Sequence, residues 1–315
     1  MSAVRVTEHG DPDALSTAEE AVPHPSEGEV RIDVRAAGVN FADVEKRRGN
    51  YPDGPTPPYR PGLEVAGVVE STGSEVDLAV GERVTALVSQ GGYAEKAVAP
   101  ADATIPVPAD LSFPAAASLP VQFLTAHNTL FEWGNLTASE RVLVTAAAGG
   151  VGTAAVQFAD ATDATVVGAA STETKREFVR RRGADRAIDY DDIETSVRDV
   201  DLVLDGVGGR VFTDAVEALA PGGRVVSFGM ASGRVPTVAT PRLFFQNKSV
   251  LGYHLEEALK RNPDRALSAV LDVVEAVADG DVEPVVEETF PLEAATRAHK
   301  RLQERESVGK LILHP

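Results

Sequence analysis

The stretch Arg141-Val-Leu-Val-Thr-Ala-Ala-Ala-Gly-Gly-Val-Gly152 decides the fold. Residues 142–146 predict a short buried strand, and apolar residues then recur at the spacing of a helix. Ala147, Gly149 and Gly152 occupy the three positions of a dinucleotide-binding fingerprint, with alanine in the first glycine position. Small residues allow a tight turn and a close approach of the backbone to a pyrophosphate at the helix N-terminus. The alternative is an ordinary tight strand–helix turn in an unrelated α/β fold.

The end of the next predicted strand indicates which dinucleotide binds. NAD-binding units carry an acidic residue about twenty residues beyond the fingerprint, where it holds the ribose hydroxyls. Here the strand at 164–170 ends in Ser171 without a carboxylate, and Lys175 follows. A neutral tip with cations beyond it suits a 2′-phosphate and predicts NADP(H), although Glu173 argues against it. The alternative is that the cations form a solvated helix face.

Composition limits the partners. The 315 residues suffice for two domains. With 48 acidic and 30 basic residues the net charge is −18, which argues against nucleic acid and anionic membranes as partners, since both repel an acidic surface. Only seven basic residues are lysine, and this composition is typical of a halophilic protein in a high-salt cytoplasm, where salt screens the self-repulsion. An ordinary acidic protein is the alternative.

Metal and membrane signals are weak. The sequence has no cysteine, so it has neither disulfides nor a thiolate zinc site, and its six histidines show no paired metal-ligand spacing. The first thirteen residues lack the apolar core of a signal peptide. Two long uncharged runs, 111–131 and 142–159, are interrupted by polar residues or glycine and are interpreted as buried segments. We therefore expect a cytoplasmic protein without a bound metal.

The order of predicted elements indicates two domains. Between residues 4 and 108, alternating segments at 29–36, 64–70, 82–87 and 93–98 predict a small barrel or sandwich. Residues 112–131 are interpreted as helical. Beyond the fingerprint, strands at 200–205, 223–228 and 249–253 alternate with helices at 172–182, 211–219 and 256–278, as in a doubly wound parallel sheet. The tail holds a helix near 292–305 and a last strand at 310–313.

Eight short motifs extend the analysis from one end of the chain to the other. They are Ala37-Gly-Val-Asn-Phe-Ala-Asp43, Arg48-Gly-Asn-Tyr-Pro52, Pro61-Gly-Leu-Glu-Val-Ala-Gly67, Gly91-Gly-Tyr-Ala-Glu95, Ala146-Ala-Ala-Gly-Gly-Val-Gly152, Gly183-Ala-Asp185, Val207-Gly-Gly209 and Gly309-Lys310. In this order and spacing the chain resembles the zinc-independent medium-chain dehydrogenases/reductases of the quinone oxidoreductase type, the group of zeta-crystallin.

The resemblance implies an α/β fold with two domains. A GroES-like β-barrel catalytic domain would comprise residues 1–121, completed by 257–315. A Rossmann domain with a doubly wound parallel sheet would comprise residues 122–256 and bind NADP(H). The family also implies a homodimer joined along the last Rossmann strand near residues 249–255, because unpaired strand edges invite such pairing.

The resemblance also implies the chemistry. Zinc-dependent relatives carry a cysteine and a histidine ligand where this chain has Asn40 and Leu63. Without zinc nothing obvious stabilises an alkoxide, so oxidation of simple alcohols is not expected. Hydride transfer from NADPH to a quinone or an α,β-unsaturated carbonyl (an enone or enal) needs less activation and is the predicted reaction. The alternatives are an enoyl-thioester (acyl-CoA) reductase and a non-catalytic NADPH-binding sensor or structural protein.

Four residues are candidates for the catalytic site by resemblance. Asn40 is expected beside the nicotinamide or the substrate carbonyl, because its amide both donates and accepts. Asp43 lies one helical turn further on, or is simply a charge at a helix N-terminus. Tyr51 would line the cleft as a hydrogen-bond or proton donor, or pack in its loop. Thr125 would contact the nicotinamide, or bond to its own helix.

The cofactor-binding residues follow from the same resemblance. Gly149, Gly150, Val151 and Gly152 would hold the pyrophosphate, Ser171 and Lys175 the 2′-phosphate, and Tyr190 the adenosine end, although a shortened loop after Tyr190 weakens its placement. Gly206, Val207, Phe228 and Gly229 would lie at the carboxyl ends of parallel strands, Gly252 and Tyr253 over the nicotinamide, and Lys310 on a phosphate. His127 and His254 are interpreted as core or surface residues.

Overall fold

The computed structural model describes all residues from 1 to 315. The strands are β1 (Ser2–Val6), β2 (Leu15–Glu19), β3 (Glu29–Val39), β4 (Glu64–Thr72), β5 (Arg83–Leu87), β6 (Lys96–Pro100), β7 (Thr104–Pro106), β8 (Arg141–Val144), β9 (Thr165–Ala169), β10 (Arg186–Ile188), β11 (Val200–Asp205), β12 (Leu219–Ser227), β13 (Ser249–Gly252), β14 (Val286–Pro291) and β15 (Lys310–His314).

The α-helices are α1 (Phe41–Arg48), α2 (Phe113–Ala116), α3 (Leu124–His127), α4 (Gly150–Asp160), α5 (Glu173–Arg180), α6 (Ile193–Ser196), α7 (Gly209–Ala218), α8 (Pro241–Phe244), α9 (Leu255–Arg261), α10 (Pro263–Leu267), α11 (Ala269–Asp279) and α12 (Ala295–Gln303). Leu119–Phe123 and Asn128–Glu132 form π-helical turns. Short 3₁₀ turns occupy Pro12–Ala14, Ala101–Ala103, Tyr190–Asp192 and Leu292–Ala294.

The chain divides into two compact units. The first comprises Met1–Val121 and Pro284–Pro315, and the second comprises Gln122–Glu283. Residues 257–283, expected to complete the first domain, group with the second unit instead. There the Asn128 side chain donates to the Ala266 carbonyl at 3.0 Å, and Ala266 and Val273 are buried.

The first unit is built on a seven-stranded sheet. The order is β14-β15-β3-β4-β5-β7, and β6 also pairs with β3; every pair is antiparallel except β14 with β15. Val30, Ile32 and Val34 alternate into its core, as the polar–apolar pattern predicts. Strands β14 and β7 end the order without pairing to each other, so the GroES-like sheet is open where a barrel was expected.

The second unit carries a six-stranded parallel sheet in the order β10-β9-β8-β11-β12-β13. This is the strand order of a Rossmann fold, reversing between β8 and β11, and ligands bind such sheets at the carboxyl ends beside the reversal. Leu202, Val203 and Leu204 are all fully buried, because helices cover both faces of a parallel sheet.

Two predicted helices are broken. The segment 112–131 consists of two short α-helices and two π-helical turns, with Pro114 and Pro120 among its residues. The predicted helix at 256–278 is three helices, and the first ends at Arg261, with Asn262 as its C-cap immediately before Pro263. Proline removes a backbone donor and clashes with the preceding turn, so a helix rarely runs through it.

Candidate active site

The fingerprint loop of the second unit joins β8 to α4. Gly149 is the N-cap of α4, and its carbonyl accepts the first backbone bond, from Thr153 N at 2.8 Å. The next amide groups have no partner inside the helix, as at any helix N-terminus. A Cβ on Gly152 would lie 2.7 Å from Ala147 Cα, so this glycine lets the helix pack directly on the loop. The Gln122 side chain fills the space beside Gly150.

A buried aspartate organises the reversal between β8 and β11. Asp205 accepts from the Thr145 hydroxyl at 2.9 Å, from Val207 N at 3.2 Å and from Gly208 N at 3.0 Å. The Thr145 hydroxyl in turn accepts from Gly206 N at 3.1 Å. Burial raises the pKa of the Asp205 carboxyl, while these donors act in the opposite direction. The amides of Gly206 and Val207 are therefore already bonded within the protein.

The neighbouring loop, after β12, packs against the same point. Phe228 N donates to the Asp205 carbonyl at 2.9 Å, and a Cβ on Gly206 would lie 2.9 Å from the Phe228 ring. A Cβ on Gly229 would lie 3.0 Å from the Gly206 carbonyl. The loops after β11 and β12 thus meet at the carboxyl ends of these two strands.

The end of β9 carries the candidate 2′-phosphate residues. Ser171 is exposed, and Thr172 caps α5 by accepting from Lys175 N at 3.3 Å. Glu173, the nearest carboxylate in the sequence, forms ion pairs with Arg176 and Arg180. These guanidinium groups lower the pKa of Glu173, so its negative charge is offset on the helix itself.

Arg176 also holds the other carboxylate beside this strand end. Its guanidinium donates to Asp189 at 2.6 Å and to the Ala170 carbonyl at 3.1 Å. Tyr190 follows Asp189 in a 3₁₀ turn and packs, half-buried, against the core of the unit.

Thr125 and Tyr253 are both buried in the second unit. Thr125 lies in α3 and is 7% exposed. The Tyr253 hydroxyl accepts from the Asn128 amide at 3.0 Å, and its ring packs edge-on against Trp133. Burial raises the pKa of Tyr253 to about 12. Gly252 ends the edge strand β13 and is exposed.

In the first unit Asn40 is the N-cap of α1 and is 6% exposed. Its amide nitrogen donates to Glu64 Oε1 at 2.8 Å, and its amide oxygen accepts from Lys310 Nζ at 2.7 Å. Lys310 Nζ also pairs with Glu64 Oε1, and both of these side chains are essentially inaccessible. The three residues form one buried cluster, which we call the Asn40 cluster.

This placement changes the expectation for Lys310. The residue is 1% exposed, and its ammonium is held by Asn40 and Glu64. An enclosed cation with two oxygen partners is poorly placed to bind a cofactor phosphate, so the structure argues against that expectation.

Asp43 is enclosed by donors. Its carboxylate accepts from Asn40 N at 3.0 Å, Gly62 N at 3.1 Å and the Tyr93 hydroxyl at 3.2 Å, and the residue is 1% exposed. Burial raises the pKa of Asp43 to about 6 despite these bonds. The geometry fits the alternative reading of Asp43, a charge at a helix N-terminus that fixes the backbone of Asn40.

A buried histidine lies behind Asp43. The Tyr93 hydroxyl is 3.2 Å from His299 Nε2, and since its one hydrogen goes to Asp43, we assign Nε2 as a donor to that hydroxyl. Burial, and then the charge of Arg47, lowers the pKa of His299 to about 3, so the ring is neutral. Tyr51 is half-buried after α1, with Lys46 Nζ 4.9 Å from its ring centroid.

Sequence reasoning missed several residues of these sites, among them Glu64, Gln122, Thr145 and Asp205. Two carried a local signal. Glu64 and Asp205 are carboxylates at the ends of apolar strands, where a charge has to be bonded if it is buried. No group of three His, Cys, Asp or Glu side chains is arranged to hold a metal ion, and no helix has the length and apolar character needed to cross a bilayer.

Comparison with known proteins agrees with this architecture. A family model described as the alcohol dehydrogenase GroES-like domain matches residues 26–109, and one described as zinc-binding dehydrogenase matches residues 150–272. The synaptic vesicle membrane protein VAT-1 homolog of Danio rerio is 36% identical over 318 residues, which cover 92% of this chain and 65% of that relative. The chain thus spans just under two thirds of that relative's length.

Two further matches cover almost the full length of both aligned chains. The quinone oxidoreductase of Mus musculus is 34% identical over 328 residues, which cover 99% of this chain and 97% of the relative. The crystal structure of Escherichia coli quinone oxidoreductase complexed with NADPH is 30% identical and superposes with a TM-score of 0.93, covering 100% of both chains. The protein therefore belongs to the quinone oxidoreductase family of medium-chain dehydrogenases/reductases.

Proposed function

We propose that this protein is an NADPH-dependent reductase that transfers hydride to a quinone or an α,β-unsaturated carbonyl without zinc. The observation that carries the proposal is the glycine-built N-terminus of α4, in a family whose Escherichia coli member is described in complex with NADPH. A side chain at Gly152 would collide with backbone, and one at Gly150 would displace Gln122. This cradle fits a pyrophosphate, with the helix dipole and its first amides directed to the anion.

The end of β9 favours NADPH over NADH. No free carboxylate is available there for ribose hydroxyls, because Arg176 engages both Glu173 and Asp189. Ser171 and Lys175 are the residues that would bind the 2′-phosphate, a hydroxyl donor and a cation at one strand end. Tyr190 would flank the adenosine.

The residues at the zinc-ligand positions favour a hydride acceptor that needs no metal. Asn40 and Leu63 stand where zinc-dependent relatives have ligands, and the Asn40 amide is bonded to a carboxylate and an ammonium. The nicotinamide supplies the hydride when NADPH is bound, and an electron-poor quinone or enone accepts it without a metal. Asn40 and Thr125 would orient the reacting groups, and Tyr51 would donate a hydrogen bond to the acceptor oxygen.

The protein is also proposed to act as a homodimer. Strand β13 is an edge of the Rossmann sheet, Val250 on it is 39% exposed, and Phe244 and Phe245 nearby in the sequence are 60% and 79% exposed. An exposed edge with apolar residues fits pairing with a second copy. The net charge of −18 fits a cytoplasm of high salt concentration, because salt screens the self-repulsion. We therefore expect the unfolding temperature to rise with added potassium chloride.

Absorbance of the reduced nicotinamide tests the proposal. NADPH oxidation is followed with phenanthrenequinone and with a medium-chain enone at high salt, and NADH replaces NADPH as the control. Turnover with NADPH and much slower turnover with NADH is the expected result. Equal rates with NADH would contradict the Ser171–Lys175 assignment. No turnover of either acceptor despite tight NADPH binding would refute the reductase and favour a thioester reductase or a sensor.

A further inference from the structure

The Asn40 cluster joins three parts of the chain that are far apart in sequence. Lys310 begins β15, whose Leu311 pairs with Val39 on β3, and Asn40 follows directly. Strand β4 begins at Glu64 and pairs with β3 on the other side. A Cβ on Gly38 would lie 2.7 Å from Glu64 Cδ, so a glycine there makes room for the carboxylate. Three adjacent strands thus bring the cluster together.

Stability alone gives little reason to keep this cluster. Burying an ammonium and a carboxylate removes both from water, and apolar side chains of similar volume are often as stable. Glu64 is fully buried and Lys310 is 1% exposed, so the desolvation is complete. Glu64 Oε2 accepts from Val121 N at 2.7 Å, which fixes the carboxylate independently of Lys310. We therefore look for the role of the ion pair in how it positions Asn40, the third residue of the cluster.

That third member is an amide whose two ends have nearly the same shape. Packing alone cannot distinguish the oxygen of Asn40 from its nitrogen, but the charges can. In the observed orientation the oxygen faces the Lys310 ammonium and the nitrogen faces the Glu64 carboxylate. Rotation by half a turn would set donor against donor and acceptor against acceptor. Only one orientation remains.

The geometry points to Lys310 and Glu64 as positioning residues that hold the Asn40 amide in one orientation for hydride transfer. This inference rests on the proposed function. The Asn40 amide nitrogen uses one of its two hydrogens on Glu64, which leaves the other N–H at a fixed position for the nicotinamide or the acceptor carbonyl. Loss of the cluster would let the amide rotate and reduce the fraction of productive complexes.

A double-mutant cycle tests the inference. The charge-free variant Lys310→Met/Glu64→Gln is made in the native and in the Asn40→Ala background, which avoids leaving one buried charge unpaired. We expect the charge-free variant to lower kcat about ten- to a hundredfold in the native background. In the Asn40→Ala background it should change kcat less than about twofold, because the two residues act only through Asn40.

Thr85→Val is the matched control for lost stability. Thr85 is a fully buried polar residue of the same sheet, and its one hydroxyl hydrogen is shared between the Val65 carbonyl at 3.0 Å and the Ala116 carbonyl at 2.7 Å. It should lower the unfolding temperature without changing kcat. Equal losses of kcat in both Asn40 backgrounds, or a native-like kcat for the charge-free variant, would overturn the inference.

The proposed function can fail independently of this inference, namely if the wild-type enzyme reduces neither acceptor. In that case the same four variants are compared by their Kd for NADPH, measured by fluorescence. Coupling between Asn40 and the ion pair in that Kd would support the positioning role, and additive effects would refute it.

Discussion

The contact of Gly152 in α4 with the loop that follows β8 gives a sharp test of the structure. Replacing Gly152 by alanine adds a methyl group that would lie 2.7 Å from Ala147 Cα and 2.8 Å from the Ala146 carbonyl carbon. These neighbours are backbone atoms, so no side-chain rotation relieves the contact. The turn between β8 and α4 has to open, and the first turn of α4 moves with it.

The expected loss of stability in Gly152→Ala can be compared with the effect of alanine at two neighbouring glycines, Gly149 and Gly150. Overpacking a core costs about 1–3 kcal/mol, and backbone neighbours place Gly152→Ala near the upper value. For a unit of this size 1 kcal/mol lowers Tm by about 2–4 °C, so we expect a decrease of about 6–12 °C. A Cβ at Gly149 would lie 3.3 Å from the Ala146 carbonyl oxygen, and the nearest atoms to one at Gly150 belong to the movable end of the Gln122 side chain.

Differential scanning fluorimetry of the three alanine variants, with and without NADPH, measures their melting temperatures and so tests this ranking of stability. Gly149→Ala and Gly150→Ala should melt within about 3 °C of the wild type, and Gly152→Ala should also lose at least about tenfold in NADPH affinity. A melting temperature for Gly152→Ala within about 2 °C of the wild type would refute the packing argument. So would equal losses in all three variants, because the structure separates them by what each methyl group meets.

Three further outcomes are expected. Ser171→Glu should raise KM for NADPH about tenfold or more and leave KM for NADH nearly unchanged, since the added carboxylate repels a 2′-phosphate; parallel losses with both would contradict this. Between about pH 4 and pH 6 Asp43 is protonated in the folded protein and ionised in the unfolded chain, because its pKa is about 6 in the first and 3.8 in the second. The stability of the wild type relative to Asp43→Asn, measured by urea titration, should therefore fall by about 3 kcal/mol as the pH rises through this window. A constant difference would contradict the raised pKa. Val250→Lys should convert a dimer to a monomer in light scattering, whereas Leu271→Lys, also on an exposed apolar residue, should not.

Much of the fold could be predicted because its signals are local. The alternation on β3 and the apolar run of β11 identify strands of different kinds, one half-buried and one covered on both faces. The helix at 256–278 was wrong as one element because apolar periodicity continues through Pro263, while proline ends the first helix. The return of the chain to the first unit was placed too early for a different reason. Whether 257–283 packs on one unit or the other depends on partners such as Asn128, which no local pattern reveals.

In the candidate site, too, local motifs could be predicted and long-range contacts could not. Asn40 was identified from its position in a motif, but its partner Lys310 lies 270 residues away and Glu64 lies 24 residues away. A lone lysine at the start of a strand has the same local sequence whether it binds a phosphate or is buried in an ion pair. What distinguishes the two is the pairing of β15 with β3, which brings the lysine to a carboxylate that already accepts from a backbone amide.

Two anchors then act on one residue in different ways. Asp43 holds the backbone nitrogen of Asn40, and this bond fixes where the side chain begins. The Lys310–Glu64 pair determines which end of the amide is the donor and which is the acceptor. A hydrophobic replacement of the pair would preserve the packing and lose that distinction, because the two ends of an amide have nearly the same shape. The buried charges are thus best explained by the direction of one amide, and this is why the test compares catalysis with and without Asn40 rather than stability alone.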